Sequence, residues 1–368
     1  MPRLTRRAGR LRPLALHLVS GLDVPYTQNS RRNLRQEWRG ACRLRTRRSG
    51  PRDAERGAME TNGQTPTERT GYLHPAYASC FSEWGDPLEL SRSGSSIITR
   101  PIPGSAERDA MGCYPIFCCE QWTRLQTDME GLKDLVCVSL VTDPFGKYDI
   151  RLLHECFPDL ATPFKAHFAV DLAENPNSFV SHHHRRNVER AFRSILVTRC
   201  EDATQYSEEW LLLYRRLISR RSIRGIAAFS DSSLRQQLRV PGLEMFRASI
   251  GGQVVGMTLW IVQADIGYYH LGAFSEAGYR ERASYALFWT ALEYFARKKV
   301  CWLSLGAGAG LQDTPSGLTR FKQGWSTGVR ETYLCGRILN PQAYAALTSR
   351  NGAAPNGYFP SYRRNNFA

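Results

Sequence analysis

The chain has 368 residues, of which 42% are hydrophobic, 11% aromatic and 23% charged, so a wholly disordered or collagen-like protein is excluded. The length allows about two domains plus an extension, and no stretch approaches the ~20 apolar residues that span a bilayer. The net charge is +15, but residues 1–58 hold 15 Arg and four acids and carry +11 of it, which leaves +4 for the other 310 residues. A uniformly polycationic protein is therefore excluded.

Residues 1–71 are predicted to form a disordered, Arg-rich extension. They have few periodic apolar positions with which to offset the entropy of ordering. An Arg-rich start also occurs in targeting signals, but the apolar stretch Leu14–Leu22 is weak and the Arg bias continues to Arg56. Met59 is a sensible alternative start, in which case the first 58 residues are translated upstream sequence.

From Tyr72 onward the composition is that of a globular protein. Helical spacing of apolar residues runs from Glu120 to Leu132. Three apolar runs read as strands: Ser95–Ile98, Leu135–Val141 and Phe168–Asp171. Residues 72–176 are therefore predicted to be a first, degenerate α/β domain.

A second domain is predicted over residues 177–345. It opens with an amphipathic helix from His184 to Leu196 and a second helix that Ser207 caps. The remaining predicted elements follow in chain order: strands Phe246–Ile250 and Val254–Val262 joined by Gly251-Gly252, strand Ile266–Phe274, a buried helix Ser284–Lys299, strand Cys301–Leu305, a helix from Pro315 to Lys322, and strand Glu331–Gly336. This order predicts a mixed α/β (α+β) domain, with residues 346–368 as a C-terminal tail.

Ten cysteines occur without a CxxC pair, and several lie inside apolar runs. This usage is typical of reduced, buried thiols and predicts a cytoplasmic protein. The consecutive residues His182, His183 and His184 point in different directions on a helix, so no metal site is predicted.

The order of elements and several local motifs resemble the GNAT acyltransferase fold, and more narrowly its FemAB-like branch, which carries two GNAT-like domains in tandem. The residues that carry the resemblance are His184-Arg185-Arg186-Asn187, Tyr268-Tyr269-His270-Leu271-Gly272-Ala273, the helix Ser284–Arg297, Leu303-Ser304-Leu305-Gly306 and Gly317-Leu318-Thr319-Arg320-Phe321-Lys322-Gln323-Gly324-Trp325. The resemblance covers residues 178–345 well, and residues 72–177 more loosely.

The resemblance implies transfer of an acyl or aminoacyl group to an amine. The donor is an aminoacyl-tRNA in Fem-type ligases and an acyl-CoA in most GNAT enzymes, so no tightly bound cofactor is expected. A Phe-Lys pair of Fem-type ligases maps onto Phe321-Lys322, where the lysine stabilises the oxyanion of the transition state. The acceptor is left open between a peptide, an amino sugar and a small amine, in a setting such as the modification of cell-envelope or polysaccharide precursors.

One departure from the acetyl-CoA-binding pattern concerns the loop that cradles pyrophosphate, R/Q-x-x-G-x-G/A. Here Ala283 stands at the first glycine position, and its Cβ hinders the approach of a phosphate. This favours a donor other than free CoA, although Arg280 can still hold an anion. The candidate substrate-binding residues are Arg185, Arg186, Asn187, Arg280, Gly308, Phe321 and Trp325.

Two further catalytic candidates lie on the strand Ile266–Phe274. Period-two alternation places Tyr268 and His270 on one face and Tyr269 and Leu271 on the other. His270 is a candidate general base and Tyr269 a candidate acid or polar anchor, while a hydrogen-bonded core histidine is the competing interpretation. A protein of another class, a non-catalytic GNAT-like binder of RNA or of a partner through its surface arginines, is also compatible with the sequence.

Overall fold

The structure, a computed structural model, describes residues 68–308, 316–351 and 359–363. The strands in these residues are β1 Asp86–Leu90, β2 Ser95–Pro101, β3 Arg108–Gly112, β4 Cys137–Val141, β5 Leu160–Asp171, β6 Leu196–Cys200, β7 Leu243–Ile250, β8 Gln253–Gln263, β9 Ile266–Phe274, β10 Trp302–Ala307 and β11 Gly328–Ile338. The α-helices are α1 Pro75–Ser79, α2 Leu125–Gly131, α3 Ile150–Cys156, α4 Pro176–Phe179, α5 His182–Ala191, α6 Ser207–Arg221, α7 Asp231–Gln237, α8 Glu276–Arg280, α9 Ala283–Arg297, α10 Gly317–Gln323 and α11 Pro341–Asn351.

The described strands form one mixed sheet in the order β1-β2-β3-β4-β11-β5-β10-β9-β8-β7-β6. The pairs β3–β4 and β9–β10 are parallel and the other neighbours are antiparallel. Strand β11, from the predicted second domain, lies between β4 and β5 of the predicted first one. The sheet is therefore continuous across residue 176, and the predicted domain boundary stays a prediction.

Helices cover both faces of the second half of the sheet. On one face α1, α6 and α7 pack over β8 and β9, with Trp210 and Tyr214 fully buried. On the other face α5, α9 and α10 form a separate core with β7–β10. The predicted buried helix is confirmed as α9, whose side chains from Ala283 to Phe288 are all buried. The mixed α/β class predicted for the chain is confirmed.

The sheet opens between β9 and β10. The two strands pair over only three residues of each, from Trp302–Ile266 to Ser304–Tyr268, after which β10 stays paired with β5 while β9 stays paired with β8. A register shift between Leu259 and Trp260 on β8 places two consecutive residues of β9 on one face. Leu271 therefore packs on the same face as Tyr268 and His270, so the predicted alternation holds as far as His270 and is wrong at Leu271.

The helix predicted to reach Leu196 ends at Ala191, and Leu196 begins the edge strand β6. The apolar spacing of Ile195 and Leu196 fits a helix, but Leu196 is 65% exposed and β6 pairs with β7 over its whole length. Tertiary pairing of the β-branched residues after it overrides the helical pattern.

The two ends of the described chain pack more extensively than predicted. Within the predicted extension, Thr70 and Gly71 hydrogen-bond to Val262 and Pro241, so the folded part begins before residue 72; residues 1–67, including Met59, lie outside the described residues. Residues 346–351 continue α11, and Arg363 of the predicted tail forms a buried ion pair with Asp109.

Nine cysteines lie in the described residues and all are free thiols; eight are buried as predicted, whereas Cys301 is exposed. No helix in this part of the chain has the length and apolar character to cross a membrane. Nor do three or more His, Cys, Asp or Glu side chains of these residues group together as they do around a metal ion.

Candidate active site

A cavity of about 170 Å³ lies where β9 and β10 separate. Its walls come from β5, β9, β10 and α10, and from the loops before α1 and after β3, which contribute Tyr72 and Tyr114. Four of the predicted site residues line it: Tyr269, His270, Gly308 and Lys322.

Helix α10 carries Lys322 and is anchored at both ends. Ser316 caps its start, where its Oγ accepts a hydrogen bond from the Thr319 amide at 3.1 Å. At the other end, Nε2 of the buried His184 donates to the Phe321 carbonyl at 2.8 Å. Since a Cβ at Gly324 would lie 2.2 Å from the His184 ring, this glycine lets the imidazole reach the helix. Lys322 is thus held by contacts made by its neighbours.

The Lys322 side chain is 5% exposed, and its Nζ donates a hydrogen bond to the Ala307 carbonyl at 2.8 Å. Nζ also lies 5.7 Å from the centre of the Tyr269 ring. Burial, together with the positive charge of Lys165, lowers the pKa of Lys322 to about 7. Gly306, with φ of +74°, leaves room beside the ammonium, because a Cβ there would lie 3.0 Å from Nζ.

Both ring nitrogens of His270 are hydrogen-bonded to protein groups. Its Nε2 donates to Gln237 Oε1 at 3.0 Å, and its Nδ1 accepts from the Tyr72 hydroxyl at 3.1 Å. Burial lowers the pKa of the imidazole to about 3. This geometry favours the core-histidine interpretation over a general base, because neither nitrogen is left for a substrate proton.

The Tyr269 ring packs against Trp260 and Phe288 on the opposite face from His270. Burial raises the pKa of its hydroxyl above the usual value. Gly272 makes room for that hydroxyl, since a Cβ there would lie 2.2 Å from it. Tyr269 therefore forms a neutral wall of the cavity beneath Lys322.

Two cationic or polar residues of the cavity, Lys165 and His167 on β5, are not among the site residues predicted from the sequence. Burial lowers the pKa of Lys165. Burial, with the charges of Lys322 and Lys165, lowers the pKa of His167 to about 3, so this imidazole is neutral. Its Nδ1 is buried and has no hydrogen-bond partner among the described residues. The sequence did contain a signal for Lys165, because lysine is rare in this chain: only six of its 49 basic residues are lysines.

A buried carboxylate lies at the edge of the same region. Asp143 accepts hydrogen bonds from the Tyr268 hydroxyl at 2.9 and 3.1 Å and from the Phe145 amide at 2.9 Å. Burial raises its pKa to about 6 despite these bonds. Asp143 belongs to the first half of the chain and Tyr268 to the second, so this contact joins the two halves next to the cavity.

The other predicted site residues lie outside the cavity. Arg186 and Arg280 are exposed on the surface, and Arg185 is half-buried. Phe321 and Trp325 are buried in an aromatic cluster around His184, with Trp325 fully buried. The predicted direct contact of these two rings with substrate is not supported by the geometry, because they pack behind α10 instead.

The start of α9, where the GNAT pyrophosphate loop is expected, is filled by protein side chains. Arg282 is the N-cap residue with φ of +58°, is 8% exposed, and donates from Nη1 to Asn187 Oδ1 at 3.1 Å. The next residues, Ala283 and Ser284, are buried as well. Asn187, predicted to bind substrate, therefore supports this closed turn.

Residues 180–323 match the family model of an acetyltransferase (GNAT) domain. Among solved structures, the chain resembles that of FemX, with a TM-score of 0.54 and 11% identity over 74% of this chain and 93% of that one. It also resembles the C-terminal domain (DUF2156) of a protein from Agrobacterium fabrum named as a lysylphosphatidylglycerol synthetase, with a TM-score of 0.51 and 15% identity over 76% and 91%. At these identities the likenesses establish the fold. No curated protein sequence matches the chain.

Proposed function

We propose that this chain is an N-acyltransferase of the FemAB-like type, because residues 180–323 match the model of an acetyltransferase (GNAT) domain and the fold is similar to that of FemX. It transfers an acyl or aminoacyl group from an activated ester or thioester to an amine. The observation that carries the proposal is the buried Lys322 ammonium beside a cavity at the opening of the sheet.

In the proposed reaction the amine nitrogen attacks the acyl carbon directly and no enzyme-bound acyl intermediate forms. The new C–N bond replaces the C–O or C–S bond to the donor, and the leaving atom takes up the proton that the amine releases. The carbonyl oxygen carries negative charge in the transition state. Lys322 stabilises that charge, because among the described residues only one of its three N–H donors is bound, to Ala307.

The charge of the cavity also acts on the nucleophile. An amine attacks only as the neutral base, and the positive charges of Lys165 and Lys322 disfavour its ammonium form in the cavity. This lowers the need for a strong general base, in agreement with the low pKa values of His167 and His270.

The closed start of α9 favours an aminoacyl ester over acyl-CoA as donor. In a helix N-terminus that binds pyrophosphate, backbone N–H groups face the ligand. Here the buried side chains of Arg282 and Asn187 occupy that approach. We therefore propose an aminoacyl-tRNA as the donor, with a peptide, an amino sugar or a small amine as the acceptor.

The test is a transfer assay with the full chain. Two labelled donors, total aminoacyl-tRNA and acetyl-CoA, are each offered with a panel of short peptides, amino sugars and small amines. Product is counted as label that resists mild alkaline hydrolysis, which cleaves esters and leaves amides. The expected result is amide-bound label from aminoacyl-tRNA that is lost in Lys322→Met and retained in Lys133→Met, which removes an exposed lysine.

Label from acetyl-CoA alone would overturn the proposed donor and retain the transferase. Salt-sensitive RNA binding that is unaffected by Lys322→Met, with no amide formed from either donor, would identify a non-catalytic binding protein instead.

A further inference from the structure

Among the described residues, the lining of the cavity carries positive charge without negative charge. Two of the six lysines of the chain line it, Lys165 and Lys322, and no described lining residue is an aspartate or a glutamate. The other four lysines are all exposed. This concentration is unusual because the chain otherwise uses arginine for positive charge.

Neither lysine has a protein counter-ion within the described residues. Nζ of Lys322 is bound to a carbonyl oxygen, and the Lys165 ammonium lies 5.4 Å from the centre of the Phe164 ring. By contrast, the buried cations Arg100 and Arg363 are paired, since both contact the buried Asp109. Burying positive charge without an anion is costly, and a bound anion offsets that cost.

A third group faces the same space. His167 lies two residues after Lys165 on β5, so both side chains project from the same face of the strand. Its buried Nδ1 lacks a partner among the described residues. A neutral imidazole can donate one N–H, so His167 adds a hydrogen-bond donor that needs no charge.

We infer that the cavity binds an anionic group of a substrate, a carboxylate or a phosphate, between Lys165 and Lys322, with His167 as an additional donor. The identification of that anion as part of a substrate rests on the proposed function, while the binding itself does not. The volume of about 170 Å³ accommodates a single carboxylate or phosphate together with the group that carries it. A phosphate would belong to the donor and a carboxylate to an amino acid or peptide acceptor.

Nuclear magnetic resonance of the full chain tests this directly, because the six lysines give only six Cε signals. The protein is labelled with ¹³C-lysine, and the two cavity signals are assigned by their loss in Lys165→Met and Lys322→Met. Inorganic phosphate and N-acetylglycine are then titrated separately at pH 6, below the pKa of Lys322.

The expected result is saturable shifts of the Lys165 and Lys322 signals with at least one of the two probes, while the four exposed lysines do not move. Lys165→Met should weaken the binding seen at the Lys322 signal by roughly tenfold or more, since a charge-assisted hydrogen bond is lost. Lys165→Arg, which keeps the charge, should retain it, and so should the control Lys133→Met.

Shifts with phosphate alone assign the anion to the donor, and shifts with N-acetylglycine alone assign it to the acceptor. No saturable shift of the cavity signals with either probe, or equal shifts of all six lysines, would overturn the inference. Thermal unfolding of each variant shows that a loss of binding is not a loss of fold.

The two proposals fail separately. Anion binding in a protein that forms no amide would leave this inference intact and refute the proposed transferase. Amide formation with normal kcat and KM in Lys165→Met, without anion binding in the wild type, would refute the inference and leave the transferase intact.

Discussion

Replacement of Lys322 by Met removes the charge and keeps nearly the same length and volume. In the structure, burial lowers the pKa of this lysine from the usual 10.5 to about 7. At 1.36 kcal/mol per pH unit, keeping the ammonium buried costs about 5 kcal/mol of folding free energy below pH 7. Between pH 7 and 10.5 the unfolded chain holds the proton and the native chain does not, so the free energy of unfolding rises with pH across that window.

The variant no longer bears the free-energy cost of burying the ammonium, but it also lacks the hydrogen bond to Ala307. An unsatisfied buried carbonyl costs about 1–3 kcal/mol. Lys322→Met should therefore be more stable than the wild type at pH 6, by about 2–4 kcal/mol. At pH 10 the penalty in the wild type has fallen to about 1 kcal/mol, and the variant should be the less stable protein by up to about 2 kcal/mol. Urea unfolding of both proteins at pH 6, 8 and 10 measures the crossover.

The activity of the same variant should move in the opposite direction from its stability at low pH. Loss of a donor to the oxyanion lowers kcat by about 100- to 1000-fold. A variant that is more stable at pH 6 yet inactive separates a catalytic role from a structural one. Unchanged turnover would refute the role of Lys322, and a variant less stable than the wild type by the same amount at every pH would refute the argument from burial.

Three further substitutions test other parts of the site. Gly306→Ala places a Cβ 3.0 Å from Nζ of Lys322 at a φ of +74°, so it should lower stability by about 1–2 kcal/mol and reduce kcat, as measured by thermal unfolding and the transfer assay. Asp143→Asn removes a carboxyl whose pKa burial raises from 3.8 to about 6. The protonated carboxyl stabilises the wild type below pH 3.8, and up to about 3 kcal/mol of that free energy is lost as the pH rises through 6. Unfolding measured at pH 4 and pH 7 should therefore show a smaller pH dependence in the variant. Arg280→Ala removes an exposed side chain outside the cavity and should change kcat and KM by less than twofold; a tenfold loss would restore the sequence-based assignment.

Local sequence patterns identified the elements that frame the site. The strand predicted over Ile266–Phe274 has the bounds of β9, and the buried helix predicted from Ser284 is α9 within one residue at its start. Gly251 and Gly252 form the predicted turn, and both have positive φ. These features depend on periodicity and on backbone conformation within one segment, so they need no knowledge of the partners.

The predicted roles of Phe321, Trp325 and Asn187 came from their neighbourhood in the sequence, and the structure changes what that neighbourhood means. All three are buried and support the surroundings of Lys322 and of α9 rather than reaching the cavity. A motif shows that residues act together, but it does not show which of them faces the substrate.

The sequence by itself determined a mixed α/β chain, a basic extension with most of the charge, and Lys322 as the residue to examine. Only the tertiary structure decided that Lys165 and His167 join it. They lie on β5, more than 150 residues earlier, and come beside Lys322 because β10 remains paired with β5 after leaving β9. Which strands separate, and which side chains then share a cavity, is set by pairing between distant segments, and no local pattern contains that information.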